Sequence, residues 1–265
     1  MLKNIIVRLI MVCVLCKSPS LIASISTPLS DGVDAIIFDC DGVLVDTEHL
    51  KFLAWQQALA TLNIELFIEE YKAVAGHSSK KIVEILEQTK GISIPEKVIF
   101  LRRSEYQKLQ ERGIHPIEET VNFARYLFQN KEALGIKLGL ASSASKSEIL
   151  FNIKQIGLEQ IFDLIISGTD DLENYVDLEG KNKPKPYIYL EASKKLNILP
   201  ERCLVIEDSE AGIEAASKAG MITVAIPNKI TSGQNFSKAN MIIDSISELS
   251  LQITSIPGTG PLKSR

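Results

Sequence analysis

The chain has 265 residues, 45% of them hydrophobic, which is enough for one large domain or for a domain with a smaller insertion. Its formal net charge is -4, and no block of the sequence is rich in Lys and Arg. Composition and charge therefore argue against a nucleic-acid partner and against stable membrane association of the mature chain, and a small-molecule ligand is expected.

Residues 1–32 differ in character from the rest and are predicted to form a signal-like or disordered N-terminal segment. Lys3 and Arg8 precede the apolar run 9–16, and a stretch of small and polar residues follows at 17–30. This is the layout of a secretory signal, and the run is too short to span a bilayer. Export to the periplasm or outside is one interpretation. A disordered extension, or a start codon placed too far upstream, of a cytoplasmic protein is the other.

From residue 33 onward, apolar runs typical of strands alternate with stretches that have helical spacing of apolar residues. This alternation predicts an α/β fold in which a mostly parallel sheet is covered on both faces. Strands are predicted at 33–38, 136–141, 163–167, 203–207, 222–226 and 241–244, and helices at 145–156, 186–197 and 210–219.

About a hundred residues separate the first two predicted strands, and they contain only amphipathic helical patterns, at 50–62, 79–88 and 95–109. A single crossover helix needs far fewer residues, so an inserted helical subdomain is expected, followed by a return helix near 117–130. Ligands of open α/β sheets bind outside the carboxyl ends of the strands, where the insertion can cover the loop at 39–46.

The predicted division of the chain follows from these patterns. Residues 33–47 and 117–252 form the catalytic core, residues 48–116 form the helical cap, and residues 253–265 form a C-terminal tail.

Chemically active side chains follow the ends of several predicted strands. Because the carboxyl ends of parallel strands meet at one edge of a sheet, these residues are expected to lie together. Carboxylates, hydroxyls and one lysine suit a hard divalent cation bound together with a phosphate. The candidates are Asp39 and Asp41 after the first strand, Ser142 and Ser143 after the second, Lys183 before the helix at 186, and Glu207 and Asp208 at the end of the strand at 203–207.

This set of residues predicts phosphoryl transfer. Asp39, at the strand end, is the natural carboxylate nucleophile, and Asp41 can protonate the leaving oxygen and later take a proton from water. Asp208, with Glu207 nearby, would hold the metal. Lys183 and Ser142 would stabilise charge on the transferring phosphoryl group.

Each residue also has a structural interpretation. An EF-hand is excluded, since its fifth, sixth and twelfth positions would fall on Val43, Leu44 and Leu50. Ser142 could cap a helix, Lys183 could be a solvated loop residue, and 207–209 could be a helix cap. The joint order of the residues favours the functional interpretation.

The four stretches together resemble the motifs of the haloacid dehalogenase-like hydrolase superfamily, most closely its beta-phosphoglucomutase-like phosphatase branch. They are DCDGVLVDTE (39–48), ASSAS (141–145), KPKP (183–186) and VIEDSEAGIEAA (205–216). The resemblance implies a Rossmann-like core, a helical cap inserted after the first motif, Mg2+ as cofactor, and an aspartyl-phosphate intermediate.

Matching motif positions imply a role for each residue. Asp39 is the nucleophile and Asp41 the acid/base, and the metal ligands are Asp39, the Asp41 backbone carbonyl, Glu207 and Asp208. Ser142 and Lys183 are phosphate ligands, with Ser143 beside them. True dehalogenases lack the second acid, so Asp41 favours phosphoryl transfer.

The sequence departs from the family pattern in two places. The loop 168–183 is longer than the usual connection. The stretch GHSSKK (76–81) lacks the arginine with which the mutase holds a distal phosphate. Lys80 or Lys81 is one candidate to substitute for it, although a lysine is a point charge without the bidentate fork. The other interpretation is that both lysines belong to a solvated helix face.

The leading hypothesis is an Mg2+-dependent phosphatase acting on a small phosphorylated metabolite, a sugar phosphate in particular. A phosphohexose mutase with the same site is the alternative, and a non-catalytic phosphate-binding protein is a third. Without an arginine in 76–81, hydrolysis is expected to dominate over mutase activity.

Overall fold

The computed structural model describes residues 32–249, which contain one six-stranded sheet of order β3-β2-β1-β4-β5-β6. Every neighbouring pair of strands is parallel, which confirms the predicted α/β fold. The signal-like segment up to residue 31 and the tail 253–265 lie outside the described residues. The strands are β1 (Ala35–Phe38), β2 (Lys137–Ser142), β3 (Leu164–Ser167), β4 (Cys203–Glu207), β5 (Ile222–Ala225) and β6 (Met241–Ile242).

The central strand β1 is apolar and buried along its whole length because both faces of the sheet are covered. In β1, Ile36 and Phe38 pack into one hydrophobic cluster, whereas Ala35 and Ile37 pack into another on the opposite face. Successive side chains of a strand point to opposite faces, so one short strand contributes to both cores.

Helices pack on each face of the sheet and give three layers. One cluster contains residues of α5 (Glu118–Leu134) and α6 (Lys146–Gln155), and the other contains residues of α7 (Tyr187–Leu196) and α8 (Glu210–Lys218). The predicted helices at 145–156, 186–197 and 210–219 are thus present with small differences at their ends.

Four helices lie between β1 and α5; three of them correspond to the predicted patterns at 50–62, 79–88 and 95–109, and the second of the four was not predicted. They are α1 (Glu48–Ala60), α2 (Ile68–Lys72), α3 (Ser79–Lys90) and α4 (Lys97–Gln110). Trp55, Tyr71 and Leu86 belong to a hydrophobic cluster of their own, separate from the two clusters of the sheet. Within residues 32–249, none of the helices has the length and apolar character needed to cross a membrane.

One loop of the sheet also contacts the inserted helices. The Gln234 side-chain amide donates hydrogen bonds to the backbone oxygens of Lys72 (3.1 Å) and Ala75 (3.0 Å). Ile230, in the same loop, packs against the hydrophobic cluster of α1–α4. The loop after β5 therefore links the sheet to the insertion.

Candidate active site

The predicted site residues meet at the carboxyl edge of the sheet. Since β1 pairs with both β2 and β4, Asp39, Ser142 and Glu207 end or follow three adjacent strands. Asp208 follows directly and is buried. Ser143 lines the same cavity, but its backbone oxygen, rather than its side chain, makes the hydrogen bond, accepting from Thr169.

Lys183 lies at the centre of this group despite the long loop that precedes it. Its Nζ donates to Asp39 Oδ1 (2.5 Å), to Glu207 Oε1 (2.6 Å) and to the backbone oxygen of Ala141 (3.3 Å). Its side chain is buried, so a solvated loop lysine is excluded. Burial alone would lower the pKa of Lys183, but Asp39 and Glu207 raise it well above its usual value, and the ammonium stays protonated.

Glu207 has hydrogen-bond donors on both carboxylate oxygens. Tyr189 donates to Oε1 (2.8 Å), next to Lys183, and the Ser209 hydroxyl donates to Oε2 (3.1 Å). A side chain at Gly212 would place its Cβ 1.9 Å from Oε1, so this carboxylate needs a glycine in the first turn of α8. Glu207 thus fixes the position of Lys183 and contributes charge to the metal-binding region.

Asp41 is held by groups that the sequence analysis did not single out. Thr47 donates to Oδ1 (2.6 Å), Ser142 donates to Oδ2 (3.2 Å), and Lys51 Nζ lies 3.3 Å from Oδ1. Burial raises the pKa of Asp41, but Lys51 and the hydroxyl of Thr47 outweigh it, so the net pKa lies below the usual value. Asp41 is therefore ionised in this structure.

In Asp39 the same kinds of interaction give a net pKa above the usual value. Burial raises the pKa of Asp39, Lys183 lowers it, and the carboxylates of Glu207 and Asp41 raise it, so that the net pKa is about 7. Two acids only two residues apart therefore have pKa values that are shifted in opposite directions, because their surroundings differ.

Three buried carboxylates fit a divalent cation. Asp39, Glu207 and Asp208 each offer an oxygen within 4.8 Å of the others. Burial, then Glu207 and other nearby carboxylates, raise the pKa of Asp208 well above its usual value, and a cation would relieve that repulsion. Hard oxygen donors of this kind match Mg2+.

Asp208 also has close neighbours. Asn228 Nδ2 donates to its Oδ2 (2.6 Å). A Cβ at Gly42, which has φ of 85°, would lie 2.2 Å from the same oxygen. Gly42 is thus required both for the turn after Asp41 and for space beside Asp208.

A cavity of about 410 Å³ opens above these residues, between the sheet edge and the inserted helices. The insertion contributes Lys51 and His77 to its wall, together with Arg102 and Arg103 of α4. Neither Lys80 nor Lys81 is among its lining residues, and Lys81 pairs with Glu84 on the surface. The arginines Arg102 and Arg103, and not Lys80 or Lys81, therefore line the cavity.

Comparison with known proteins agrees with this geometry. A family model described as "Haloacid dehalogenase-like hydrolase" matches residues 36–226. The chain belongs to the haloacid dehalogenase-like hydrolases, an enzyme family, and the resemblance indicated by the four motifs is confirmed.

Individual relatives cover most of the chain. It is 29% identical over 189 residues to the phosphorylated carbohydrates phosphatase of Thermotoga maritima, covering 71% of this chain and 82% of that one. It is 29% identical over 225 residues to the beta-phosphoglucomutase of Bacillus subtilis, and the match covers 83% of this chain and 92% of that one. The structure of CbbY from Rhodobacter sphaeroides in complex with phosphate has a TM-score of 0.68 and 28% identity, covering 82% of this chain and 96% of that one.

Proposed function

We propose that this protein is an Mg2+-dependent phosphatase that hydrolyses a small phosphorylated metabolite, a sugar phosphate, through an aspartyl phosphate on Asp39. The observation that carries the proposal is the placement of Asp39 at a strand end, 2.5 Å from Lys183 and beside the acids Glu207 and Asp208. This arrangement joins a nucleophile, a fixed cation and a metal-binding set.

In the first half-reaction the Asp39 carboxylate attacks phosphorus. Lys183 and the Ser142 hydroxyl stabilise the charge on the transferring oxygens, since both lie at the same sheet edge. Mg2+, held by Asp39, Asp208 and Glu207, would offset repulsion between the phosphate and the carboxylates.

Asp41 supplies and removes the proton. A dianionic phosphate that arrives beside its carboxylate raises the pKa of Asp41 by repulsion and favours the protonated form, which can donate to the leaving oxygen. After the alcohol departs, the ionised Asp41 takes a proton from the water that attacks the aspartyl phosphate. Thr47 and Lys51 hold this carboxylate in the ionised form in the present structure.

The inserted helices α1–α4, within residues 48–116, would act as the cap that covers the reaction, on the core formed by 33–47 and 117–252. Their residues make up much of the cavity wall above Asp39 and Asp41. Such a cover excludes water from the charged groups and strengthens their interactions. The name of the Thermotoga relative, a phosphorylated carbohydrates phosphatase, supports a sugar phosphate as substrate.

A phosphohexose mutase is the second candidate, and Arg102 and Arg103 favour it. The stretch 76–81 has no arginine, but α4 brings two arginines to the cavity. A guanidinium can bind a second phosphate through two parallel hydrogen bonds. The Bacillus relative named beta-phosphoglucomutase is consistent with this alternative.

One pair of assays tests both functions. Purified protein with Mg2+ is first screened for phosphate release from a panel of phosphorylated sugars, and release from at least one member is expected. A hexose 1-phosphate is then supplied with a catalytic amount of the bisphosphate. Faster accumulation of free phosphate than of the 6-phosphate isomer supports the phosphatase. Efficient isomerisation with little phosphate release makes the mutase the answer, and no turnover in either assay rejects both.

A further inference from the structure

A partly buried acid of the sheet domain, Glu148, lines the cavity and is not among the residues already given a chemical role. It lies in the first turn of α6, where its backbone N–H donates to Ser145 Oγ at 3.4 Å. Within residues 32–249, no hydrogen bond or salt bridge forms to its carboxylate oxygens. The side chain lines the cavity, so these oxygens are available to a ligand.

Another part of the cavity wall comes from α4 and the residue that follows it. These lining residues have the spacing of a single helix face and are all polar or aromatic: Arg102, Arg103, Tyr106, Gln107 and Gln110 of α4, and Glu111 at its C-terminal end. Arg102 and Tyr106 are 8% and 2% exposed, yet Arg102 Nε and the Tyr106 hydroxyl have no hydrogen-bond partner among the described residues. Buried polar atoms without partners are costly, which points to a polar ligand that satisfies them.

Glu148 lines the same cavity as Asp41, Arg102 and Arg103. Burial raises the pKa of Glu148, the charge of Asp41 raises it further, and Arg102 lowers it. Burial and the charge of Asp41 likewise raise the pKa of Tyr106. Glu148 and Tyr106 therefore share the cavity with Asp41, the acid proposed to handle the proton of the leaving group.

We propose that Glu148 is a specificity-determining residue that accepts a hydrogen bond from a hydroxyl group of the leaving alcohol, with Tyr106 and Arg102 binding the remainder of that alcohol. The proposal rests on the phosphatase function and deepens it. An ionised carboxylate is an acceptor only, so it pairs with a donor and repels a second anionic group placed next to it. The preferred substrates are monophosphates of polyhydroxy alcohols with a free hydroxyl near the ester.

Substrates that lack this hydroxyl leave the partly buried Glu148 carboxylate covered by the ligand without a hydrogen-bond partner. Sites built to bind a substrate hydroxyl reject analogues without it far more strongly than apolar pockets reject a missing methylene. The deoxy analogue of the best substrate and aryl phosphates are therefore expected to react poorly.

The test compares kcat/KM of the full chain and its variants on two kinds of phosphoester. One is the sugar phosphate that the native protein hydrolyses fastest, and the other is 4-nitrophenyl phosphate, which has no hydroxyl. Glu148→Ala is expected to lower kcat/KM for the sugar phosphate about 10- to 100-fold, and that for 4-nitrophenyl phosphate by less than about 3-fold. Glu148→Gln, which keeps the shape and one acceptor oxygen, should fall between native and Glu148→Ala.

The controls separate the possible failures. Glu159→Ala, an exposed acid just beyond α6, should leave both substrates unchanged. An equal loss on both substrates, or no loss on either, overturns the proposal. If Glu148→Ala unfolds, the same comparison is made with Glu148→Gln, where selectivity for the sugar phosphate must fall. A native protein that hydrolyses 4-nitrophenyl phosphate but no sugar phosphate also overturns it, whereas a lack of activity on every phosphoester contradicts the phosphatase function itself.

Discussion

Lys183 Nζ lies 2.5 Å from Asp39 Oδ1, although 144 residues separate the two in the sequence. The lysine offsets part of the cost of burying a carboxylate at the end of β1, and Asp39 in turn keeps the lysine protonated. The same lysine donates to Glu207 and to the backbone oxygen of Ala141, so one side chain joins the ends of β1, β4 and β2.

Asp39→Asn is expected to abolish phosphate release while the protein remains folded. The amide has nearly the same shape as the carboxylate but is a poor nucleophile, so the covalent step is lost. Phosphate release with Mg2+ and the melting temperature are measured together. Asp46→Asn, at an exposed position in the same loop, is the control and should retain activity. Substantial turnover by Asp39→Asn, with contamination excluded, would contradict the mechanism.

The same variant should be more stable than the native protein at neutral and higher pH when Mg2+ is removed. The folded-state pKa of Asp39 is about 7, above its ordinary value of 3.8, so the folded protein binds an additional proton between these pH values. Stability from this group is complete below pH 3.8 and is lost as pH rises to about 7. The asparagine does not titrate, so it avoids this loss.

Melting curves in EDTA at pH values from 5 to 8 test that expectation. The advantage of Asp39→Asn over the native protein should grow with pH by at most about 1.4 kcal/mol per unit, and it should level off above the pKa. A difference in stability that stays constant with pH would show that Asp39 does not titrate in this range.

Asp208→Ala is expected to raise the Mg2+ concentration that gives the half-maximal rate, because it removes one of three clustered carboxylates. Asn228→Ala, which removes the 2.6 Å hydrogen bond to Asp208, should have a smaller effect in the same direction, about tenfold. Metal titrations of the rate provide the measurement. An unchanged titration for Asp208→Ala would remove that residue from the metal site.

Arg102→Met is expected to raise KM for a sugar phosphate about tenfold or more, since a buried guanidinium without a protein partner at Nε would lose its ligand contacts. Lys80→Met and Lys81→Met serve as matched controls, because neither lysine lines the cavity. Steady-state kinetics of the three variants give the KM values to be compared. A larger effect at either lysine would restore the interpretation of 76–81 as the binding stretch.

Much of the core could be predicted from the sequence because its signals are local. The strands are short apolar runs, and Asp39, Glu207 and Asp208 follow directly from the strand ends, where topology alone brings them together. The predicted position of Lys183 is also found despite the long loop before it, because two carboxylates bind its ammonium group.

The cation-bearing part of the cavity could not be predicted in the same way. Arg102 and Arg103 lie in an ordinary amphipathic pattern, and only the orientation of α4 over the sheet distinguishes them from surface arginines. In the sequence, Lys51 likewise does not differ from the other polar residues of α1, and only the fold shows that it lies near Asp41. Helix α2 has only five residues, too few for a periodic signal.

The separate hydrophobic cluster of α1–α4 has a consequence for how such a protein diversifies. Substitutions along the cavity face of α4 can change which alcohol is accepted while the strand ends that perform the chemistry stay the same. The loop that carries Gln234 is an exception. It bonds to the backbone of the insertion at Lys72 and Ala75, and its Asn228 bonds to Asp208. Substitutions in that loop would disturb both Asp208 and the insertion. New substrate specificities should therefore arise first through substitutions on α4 and last through substitutions between residues 228 and 234.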